Sequence, residues 1–411
     1  MAKQGTDRMT DTTTPGATAA PPQPLSPAGD PVGIAWSGPT WGLAGLGLVN
    51  FLLSIITLGI YHFWAKTEVR RRLVSSIRIN GEPMEYTGTG MELFLGFIIS
   101  LLVVLLPFQL LIFGAQIYFG PQNPASGLIV FAALPFIFYL YGVAAYRARR
   151  YRRSRLRWRG VRGAVVGNSW TYGLQALWTS VVGLLASGWL TPWRDNYLHR
   201  RITGDTRFGD RPFKYSGQAG PLYPVYALAW VGQVVIFLVV AGLGAALLWP
   251  VAKPVFEAIQ AASGPDNKID WQSPELRAIL PQLIGLVSAA AGVFVVYAMI
   301  ASVLWSLFYA REYRYFADNT ALEGLHFKLS VSGWSLFWLF LSNTLLSLLT
   351  LTILSPVAEA RVARYFIRRL SSNGSIDFAG ILQSQERLSK TGEGLAEAFD
   401  VEANSYFILS I

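Results

Sequence analysis

Seven long apolar segments constrain the fold of this chain more than any other feature of its sequence. Each is close to or above the roughly 20 residues that a helix needs to cross about 30 Å of hydrocarbon. They cover residues 41–63, 92–115, 128–146, 170–192, 222–249, 279–309 and 334–355. Backbone groups in lipid must be satisfied within the segment, and the alternating pattern of a membrane barrel is absent, so the segments are predicted to be helices. The predicted fold class is therefore all-α, a polytopic helical membrane protein.

The composition supports a membrane protein. Of 411 residues, 52% are hydrophobic and 14% charged, whereas soluble domains carry about 25% charged residues. There are 34 basic and 24 acidic residues, a net charge of +10, and in a membrane protein this excess indicates orientation and anionic lipid rather than nucleic acid. The chain contains no cysteine, which excludes disulfides, thiol nucleophiles and thiolate metal sites.

An internal repeat is indicated by three stretches that align without gaps around Trp41, Trp170 and Trp334. With Trp41 aligned on Trp170, Trp64, Tyr86 and Gly88 fall on Trp193, Tyr215 and Gly217. With Trp41 aligned on Trp334, Asn50, Thr57 and Gly81 fall on Asn343, Thr350 and Gly374. Repeats of this kind are typical of transporter folds, and the sequence predicts three degenerate copies.

The repeat and the composition together predict four parts of the chain. The polar, proline-rich start cannot bury enough apolar surface to offset its ordering entropy. It also lacks the basic start and apolar core of a signal peptide. The predicted parts are a disordered N-terminal tail (1–35), a first membrane repeat (36–165), a second membrane repeat (166–330) and a partial third repeat with a cytoplasmic C-terminal tail (331–411).

The distribution of basic residues between loops discriminates between two topologies. If all seven segments span, the inner loops hold 23 basic residues and the outer loops 9. If segments 41–63, 170–192 and 334–355 enter and leave on one side, the split becomes 29 inside and 3 outside. The positive-inside rule favours the second arrangement, with four spans. The first stays open, because these segments are apolar enough to span and odd-numbered units would form inverted repeats.

Two groups of basic residues suggest contacts with anions or lipid headgroups. One follows the run LGIYHFWAK (58–66), and the other belongs to nine arginines between Arg147 and Arg162. The candidate headgroup contacts are Lys66, Arg70, Arg71, Arg72, Arg149, Arg150, Arg200 and Arg201. The plainer interpretation is membrane anchoring and orientation, since cations commonly flank membrane helices. Thr89 and Glu92 have capping-box spacing, which predicts a helix start there.

Polar residues inside the apolar segments are the second set of candidates. They are Asn50, Ser54, Thr57 and Asn343. Such residues mark pathways or form hydrogen bonds between helices, and the repeat relation of the two asparagines favours packing. No carboxylate lies mid-segment, where a proton pump would place one. The three histidines have no acidic neighbours in sequence, so no metal site, cofactor or catalytic constellation is predicted.

Four motifs carry a resemblance to a known family. They are LGIYHFWAK (58–66), YTGTGMELF (86–94), RWRG (157–160) and GEGLAEAFD (392–400). With these motifs the chain resembles the YjgN-like bacterial inner-membrane proteins, a family built around a domain of unknown function. The resemblance covers about residues 35–400 and implies a multi-pass helical protein of the bacterial inner membrane. The later copies depart from the first motif, reading TPWR at 191–194 and SPVA at 355–358.

Three function classes remain on the sequence alone. The first is a protein that moves or gates a small solute or lipid. The alternative is a non-catalytic membrane scaffold or anionic-lipid-binding protein, and a membrane enzyme acting on lipid has the least support. The predicted partner is the bilayer, including anionic phospholipid, and not nucleic acid. Both termini are predicted to be cytoplasmic, and the oligomeric state stays open.

Overall fold

The structure, a computed structural model, describes residues 32–120, 123–261 and 274–386. In these residues the helices are α1 (Ala44–Ile56), α2 (His62–Ser75), α3 (Gly90–Ser100), α4 (Leu106–Phe119), α5 (Pro124–Arg155), α6 (Ser169–Leu185), α7 (Thr191–Gly204), α8 (Tyr223–Ala261), α9 (Pro274–Asp318), α10 (Gly333–Leu349) and α11 (Ser355–Ile367). The strands are β1 (Ile34–Trp36), β2 (Ile77–Ile79), β3 (Glu82–Pro83), β4 (Glu85–Tyr86), β5 (Leu156–Trp158), β6 (Val161–Val165), β7 (Thr206–Phe208), β8 (Arg211–Tyr215), β9 (Thr320–Leu322), β10 (Leu325–Leu329) and β11 (Leu370–Asn373). Most of the predicted tail and the motif at 392–400 lie outside the described residues.

Four helices of the described chain are long and apolar enough to cross a membrane. They are Gly90–Phe119, Pro124–Arg155, Gly220–Ala261 and Arg277–Asp318. The first joins α3 to α4 through a π-helical turn, Leu101–Leu105. By contrast, α1 has 13 residues and α6 and α10 have 17 each. At 1.5 Å per residue these helices are about 20 and 26 Å long, less than the roughly 30 Å of hydrocarbon.

Strand pairing shows on which side each helical hairpin begins and ends. The antiparallel pairs β1–β2, β6–β7 and β10–β11 enclose the helix pairs α1–α2, α6–α7 and α10–α11, which we call the short hairpins. The pairs β4–β5 and β8–β9 enclose α3/α4–α5 and α8–α9, the long hairpins. Because paired strands are neighbours, every hairpin returns to the side from which it left. This arrangement agrees with four spans and does not allow all seven apolar segments to cross.

The fold is mostly helical, as predicted, but it is not all-α, because an antiparallel sheet joins the hairpins. Strands β4 to β11 form one sheet of eight strands in sequence order, and β1 to β3 form another. One residue, Met84, separates β3 from β4. At the other end the Ser372 hydroxyl donates a hydrogen bond of 2.6 Å to the Val32 carbonyl oxygen. The two sheets therefore meet at both ends and make a ring of strands, the strand ring, on one side of the helices.

Short strands explain why the sequence pattern concealed this ring. Each strand has two to five residues, too few for an alternating pattern to stand out. The turns did carry a signal. Asn80 and Gly81 have φ of 49° and 83° between β2 and β3, as the two-residue type I′ hairpin turn requires. Arg159 and Gly160, at 49° and 77°, form the corresponding turn between β5 and β6.

The tips of the three short hairpins share one backbone conformation. Each contains two consecutive residues with positive φ: Leu58 and Gly59, Ser187 and Gly188, and Leu351 and Thr352. In each tip the second of these amides donates to the carbonyl oxygen five residues earlier, at 2.7, 2.8 and 2.7 Å. This left-handed turn ends the first helix and reverses the chain. The tips are apolar and open, since Leu58 is 93% exposed and Leu349 83%.

The main hydrophobic core joins the first and third short hairpins to the strand ring. Its buried residues include Leu73 of α2, Leu336 of α10 and Val357 of α11. Gly47 permits a close approach, because a Cβ there would lie 2.3 Å from the carbonyl oxygen of Ile353. The second long hairpin is different. Of the most apolar 18-residue stretches in its two spanning helices, 6% and 0% is buried, so most apolar side chains of these stretches are exposed on the surface of the molecule.

Candidate functional site

The base of the first long hairpin is a closed polar cluster around Glu92. Glu92 and Thr89 form the predicted capping box at the start of α3, with bonds of 3.5 and 3.4 Å. The Tyr151 hydroxyl donates to one carboxylate oxygen of Glu92 at 2.6 Å. The Arg155 guanidinium donates to the other, also at 2.6 Å. Since the carboxylate has a cation and several donors, its charge is compensated, and the cluster holds α3 to α5.

The predicted headgroup cations of α2 divide into buried and exposed groups. Arg70 is buried and donates to the Tyr86 hydroxyl at 3.3 Å. Arg71 and Arg72 both pair with Glu68, at 3.4 and 3.0 Å, and their side chains stay about half exposed. Lys66 lies half-buried on the same helix. Of these four cations, the two pairing with Glu68 present the most charge to solvent.

Two further predicted arginines hold turns of the strand ring. Arg150, on α5, donates to the carbonyl oxygens of Val165, at 3.0 Å, and of Gly167. Arg200, on α7, donates to the carbonyl oxygen of Gly217 at 2.5 Å. Both turns follow a strand and precede a helix. These guanidinium groups therefore satisfy backbone acceptors where the chain enters a helical hairpin.

The remaining two arginines also have partners within the fold. Arg149 donates to the Tyr172 hydroxyl at 3.2 Å. Arg201 forms an ion pair with Asp205 at 3.5 Å. The eight candidate cations therefore lie on three helices and are not gathered around one ligand. Their role as headgroup contacts stays a prediction, and Arg71, Arg72 and Arg200 are the exposed members of the set.

The predicted intramembrane polar residues have different surroundings. Asn50 is 6% exposed, and neither polar atom of its amide has a hydrogen-bond partner among the described residues. The Asn343 amide donates to a backbone carbonyl of α11 at 3.3 Å. The Thr57 hydroxyl accepts a hydrogen bond of 2.9 Å from the backbone amide of Tyr61, the residue before α2. The backbone carbonyl of Ser54 accepts the tip amide of the first short hairpin. Thr57 and Ser54 thus help to form the tip.

The structure reveals a charged cluster that the sequence analysis missed. Arg194 and Asp195, on α7, pair at 2.9 and 3.0 Å. Glu312, on α9, is 5% exposed and lies within electrostatic range of both. Its Oε1 has no hydrogen-bond partner among the described residues. The two acids lie on different hairpins, and Glu312 stands in a basic strip, so sequence spacing could not bring them together.

His199 lies one turn further along α7 and is uncharged. Its ring stacks on Phe316 at 4.1 Å. Burial, followed by the charges of Arg149 and Arg153, lowers the pKa of His199 to about 3. Among residues 32–120, 123–261 and 274–386, no three histidines or carboxylates are grouped to hold a metal ion.

A small cavity lies where the end of the described chain crosses the strand ring. Arg150, Arg162 and Glu386 are among its lining residues. The Arg162 guanidinium donates to the carbonyl oxygen of Ser384 at 2.8 Å. The volume is about 20 Å³, enough for about one water molecule and too small for a lipid or solute.

Comparisons with known proteins identify the family of this chain. A family model described as "Bacterial protein of unknown function (DUF898)" matches residues 32–398. Inner membrane protein YjgN of Salmonella typhimurium is 33% identical over 87 residues, which are 21% of this chain and 20% of that protein. The match thus spans about a fifth of either chain. No solved structure matches significantly. The resemblance to YjgN-like proteins is confirmed, and the chain is consistent with a multi-pass membrane protein.

Proposed function

Because the chain belongs to the DUF898 family of bacterial proteins of unknown function, we propose its function from its own geometry. We propose that it moves lipid between the leaflets of the bacterial inner membrane. One observation carries this proposal. Three helical hairpins, whose first helices are too short to span, leave from and return to the side that carries the strand ring.

The short hairpins suit insertion into one leaflet. Their helices are about 20 to 26 Å long, so their exposed leucine tips would end within the hydrocarbon. Membrane segments shorter than the bilayer are accommodated by local thinning. Thinning lowers the barrier for a polar headgroup to cross. The outward-facing apolar helices of the second long hairpin would provide a surface along which lipid tails slide.

The distribution of charge supports a cytoplasmic position for the strand ring. The strands and helix ends on that side hold most of the basic residues, and the positive-inside rule would place them in the cytoplasm. Anionic headgroups would then be attracted to Arg71 and Arg72, at about 1 kcal/mol per basic residue near the surface. The N- and C-terminal ends of the described chain lie on this same side.

We also propose that the three short hairpins are internal repeats. The shared tip conformation supports this relation. So does the cap after the tip, since Thr57 accepts the amide of Tyr61 at 2.9 Å and Thr350 accepts the amide of Leu354 at 3.4 Å. These pairs are separated by the same offset as Trp41 and Trp334. The domain boundaries at 165 and 330 stay predictions that follow from it.

Lipid transfer can be tested with the full chain in vesicles that carry a fluorescent phospholipid in both leaflets. An impermeant reductant bleaches the outer leaflet, and transfer exposes the remainder. The proposal expects nearly complete bleaching with the protein and about half without it. Bleaching that stops at half, together with retention of the protein on anionic vesicles, would contradict lipid transfer and favour the scaffold alternative. An encapsulated fluorophore in the same vesicles reports solute leakage.

The tips provide a specific variant. Leu58→Lys places a charge that costs about 2.5–3.5 kcal/mol at the bilayer centre. We expect a decrease in transfer rate of about tenfold or more, since about 1.4 kcal/mol corresponds to tenfold. Leu382→Lys is the matched control, because Leu382 is 68% exposed in the segment that crosses the strand ring. An equal decrease in both variants would contradict insertion of the tips.

Orientation can be tested separately with an impermeant thiol reagent on intact cells, since the chain contains no cysteine. Gly127 is exposed near the start of α5, and Gln218 is exposed on the strand-ring side. We expect Gly127→Cys to be labelled and Gln218→Cys to be labelled only after the cells are opened. The reverse pattern would contradict a cytoplasmic strand ring.

A further inference from the structure

The base of the second long hairpin contains a carboxyl group whose charge is not compensated. Glu312 is buried on α9, eight residues before β9 and one turn before Phe316, whose ring stacks on His199 of α7. This is about 12 Å along the helix from the strand ring. Its environment is aromatic, with Tyr226, Phe308 and Trp305 in the adjoining core. An isolated carboxylate is costly in such surroundings.

The nearest cation does not remove this cost, because it is already bound. Arg194 directs Nε and Nη2 to one oxygen of Asp195, at 3.0 and 2.9 Å. Two ionised carboxylates and one guanidinium would leave one negative charge in a site where Glu312 is buried, while the Arg194 and Asp195 side chains are 35% and 26% exposed. Glu312 Oε1 meanwhile has no hydrogen-bond partner among the described residues. Buried ion clusters are stable when charges and hydrogen bonds are satisfied, and here one positive charge is lacking.

We propose that Glu312, with Asp195 and Arg194, is a binding site for one positive charge, either a proton or an alkali-metal cation. Intramembrane ionisable residues that face a protein interior commonly mark such sites. The site lies between the second short hairpin and the second long hairpin. Its occupancy therefore stabilises the packing of α7 on α9. The inference does not depend on lipid transfer.

Several titratable groups face Glu312 and must be separated from it in any experiment. They are Arg194 and Asp195 on α7, Tyr309 on α9 and Tyr215 on β8, and Tyr226 on α8 lies within electrostatic range of Arg194 and Asp195. Burial raises the pKa of Tyr215 above its ordinary value. His199, on the same face of α7, stays neutral. The pH response must therefore be read as a difference between the wild type and a variant of Glu312 alone.

The test is the thermal unfolding midpoint of the full chain in detergent, measured from about pH 6 to about pH 9 in choline chloride. This window lies above the ordinary pKa range of a carboxyl. For a proton site, we expect the wild-type midpoint to fall by about 2 °C, because a given change in the free energy of unfolding shifts the midpoint less in a longer chain. The fall is lost in Glu312→Gln. Equal pH dependence of the midpoint in both proteins would contradict proton binding at Glu312.

Sodium and potassium distinguish the second source of charge. At about pH 9, choline chloride is replaced by NaCl or KCl at constant ionic strength. A rise in the wild-type midpoint that is absent in Glu312→Gln assigns the site to the alkali-metal cation. If neither pH nor the cations separate the two proteins, the site binds no positive charge and the proposal is wrong. Glu257→Gln is the matched control, since Glu257 is exposed on the same long hairpin.

A second variant keeps the test decisive if Glu312→Gln does not fold. Asp195→Asn removes the competing carboxylate and leaves Arg194 available to pair with Glu312. We expect the wild-type fall in midpoint with rising pH to disappear, and any cation effect to disappear with it. Persistence of the full pH or cation response in Asp195→Asn would contradict a site that uses both carboxylates.

Discussion

The short and long hairpins are stabilised in different ways. The first and third short hairpins share one buried core with the strand ring, in which Leu73, Leu336 and Val357 are at most 1% exposed. The spanning helices of the second long hairpin have little buried surface. Each long hairpin has in addition a polar cluster at its base, and one of its helices packs closely on a short hairpin, where Gly173 of α6 approaches Val143 of α5 and Gly333 of α10 approaches Leu307 of α9.

This difference indicates that the short hairpins are the rigid part of the protein and that the long hairpins are the part whose position can change. Apolar packing in the short hairpins is dense and has little room for adjustment. The long hairpins face lipid, which gives no hydrophobic preference for one helix packing over another. Their position therefore depends on the clusters around Glu92 and Glu312 as well as on the packing of α5 on α6 and of α9 on α10. The first is fully paired, and the second lacks a positive charge, so the second is the adjustable one.

The largest effect is expected from Glu92→Ala at the base of the first long hairpin. The variant leaves the Arg155 guanidinium without its counter-charge, the Tyr151 hydroxyl without its acceptor and the Thr89 amide without its capping-box acceptor. Removing one partner of a buried pair costs about 3–5 kcal/mol, and denaturant unfolding in detergent measures it. The control is Glu68→Ala, whose exposed pairs are worth at most about 1 kcal/mol. Equal losses would contradict the polar anchoring of the long hairpin.

A smaller loss is expected where the first short hairpin contacts the third. In Gly47→Ala the new methyl group would lie 2.3 Å from the Ile353 carbonyl oxygen, so the hairpins must separate. Overpacking of this kind costs about 1–3 kcal/mol. Gly45→Ala, two residues earlier on α1, meets no atom within 4 Å and should be nearly neutral. If the unfolding midpoints of the two variants agree, α1 does not pack on this turn.

Replacing the buried amide of the first short hairpin should instead stabilise the protein. Asn50→Leu removes two polar atoms without partners, and we expect a gain of about 1–2 kcal/mol in the free energy of unfolding. Asn343→Leu loses one hydrogen bond and should gain less. The same proteins can be assayed for lipid transfer. Lost transfer with unchanged stability would contradict a packing role and show that Asn50 belongs to a pathway.

The smallest effect is expected on the surface of the strand ring. Arg159 donates two hydrogen bonds of 2.7 Å to Glu82, which lowers the pKa of this carboxyl from its ordinary 4.5. Its contribution is present above pH 4.5 and is lost as the pH falls through the lowered pKa. Because this ion pair is exposed, we expect it to contribute about 0.2–1 kcal/mol to the free energy of unfolding. The free energy of unfolding of Glu82→Gln, measured by denaturant unfolding, should therefore be lower than that of the wild type at neutral pH. The two values should become equal in acid.

Sequence reasoning recovered the parts of this protein that depend on local interactions. The four long apolar stretches became membrane-length helices, and Thr89 and Glu92 formed the capping box. The strand ring was missed, because strands of two to five residues have almost no periodicity of their own. The Asn80–Gly81 turn was a usable signal. Arg150 and Arg200 were predicted as headgroup contacts, because the backbone carbonyls that accept their hydrogen bonds lie 17 residues further along the chain and could not be inferred from local sequence.

The sequence by itself determined that the chain is a membrane protein, where its apolar helices lie and that its charge is one-sided. Lipid imposes these properties on each segment separately, because every helix must satisfy its own backbone and bury its own apolar length. Only the tertiary structure decided that the short helices return to their starting side and that Glu312 meets Arg194 and Asp195. Both results depend on which strands pair and which hairpins pack together, and such contacts between distant residues leave no periodic pattern in the sequence.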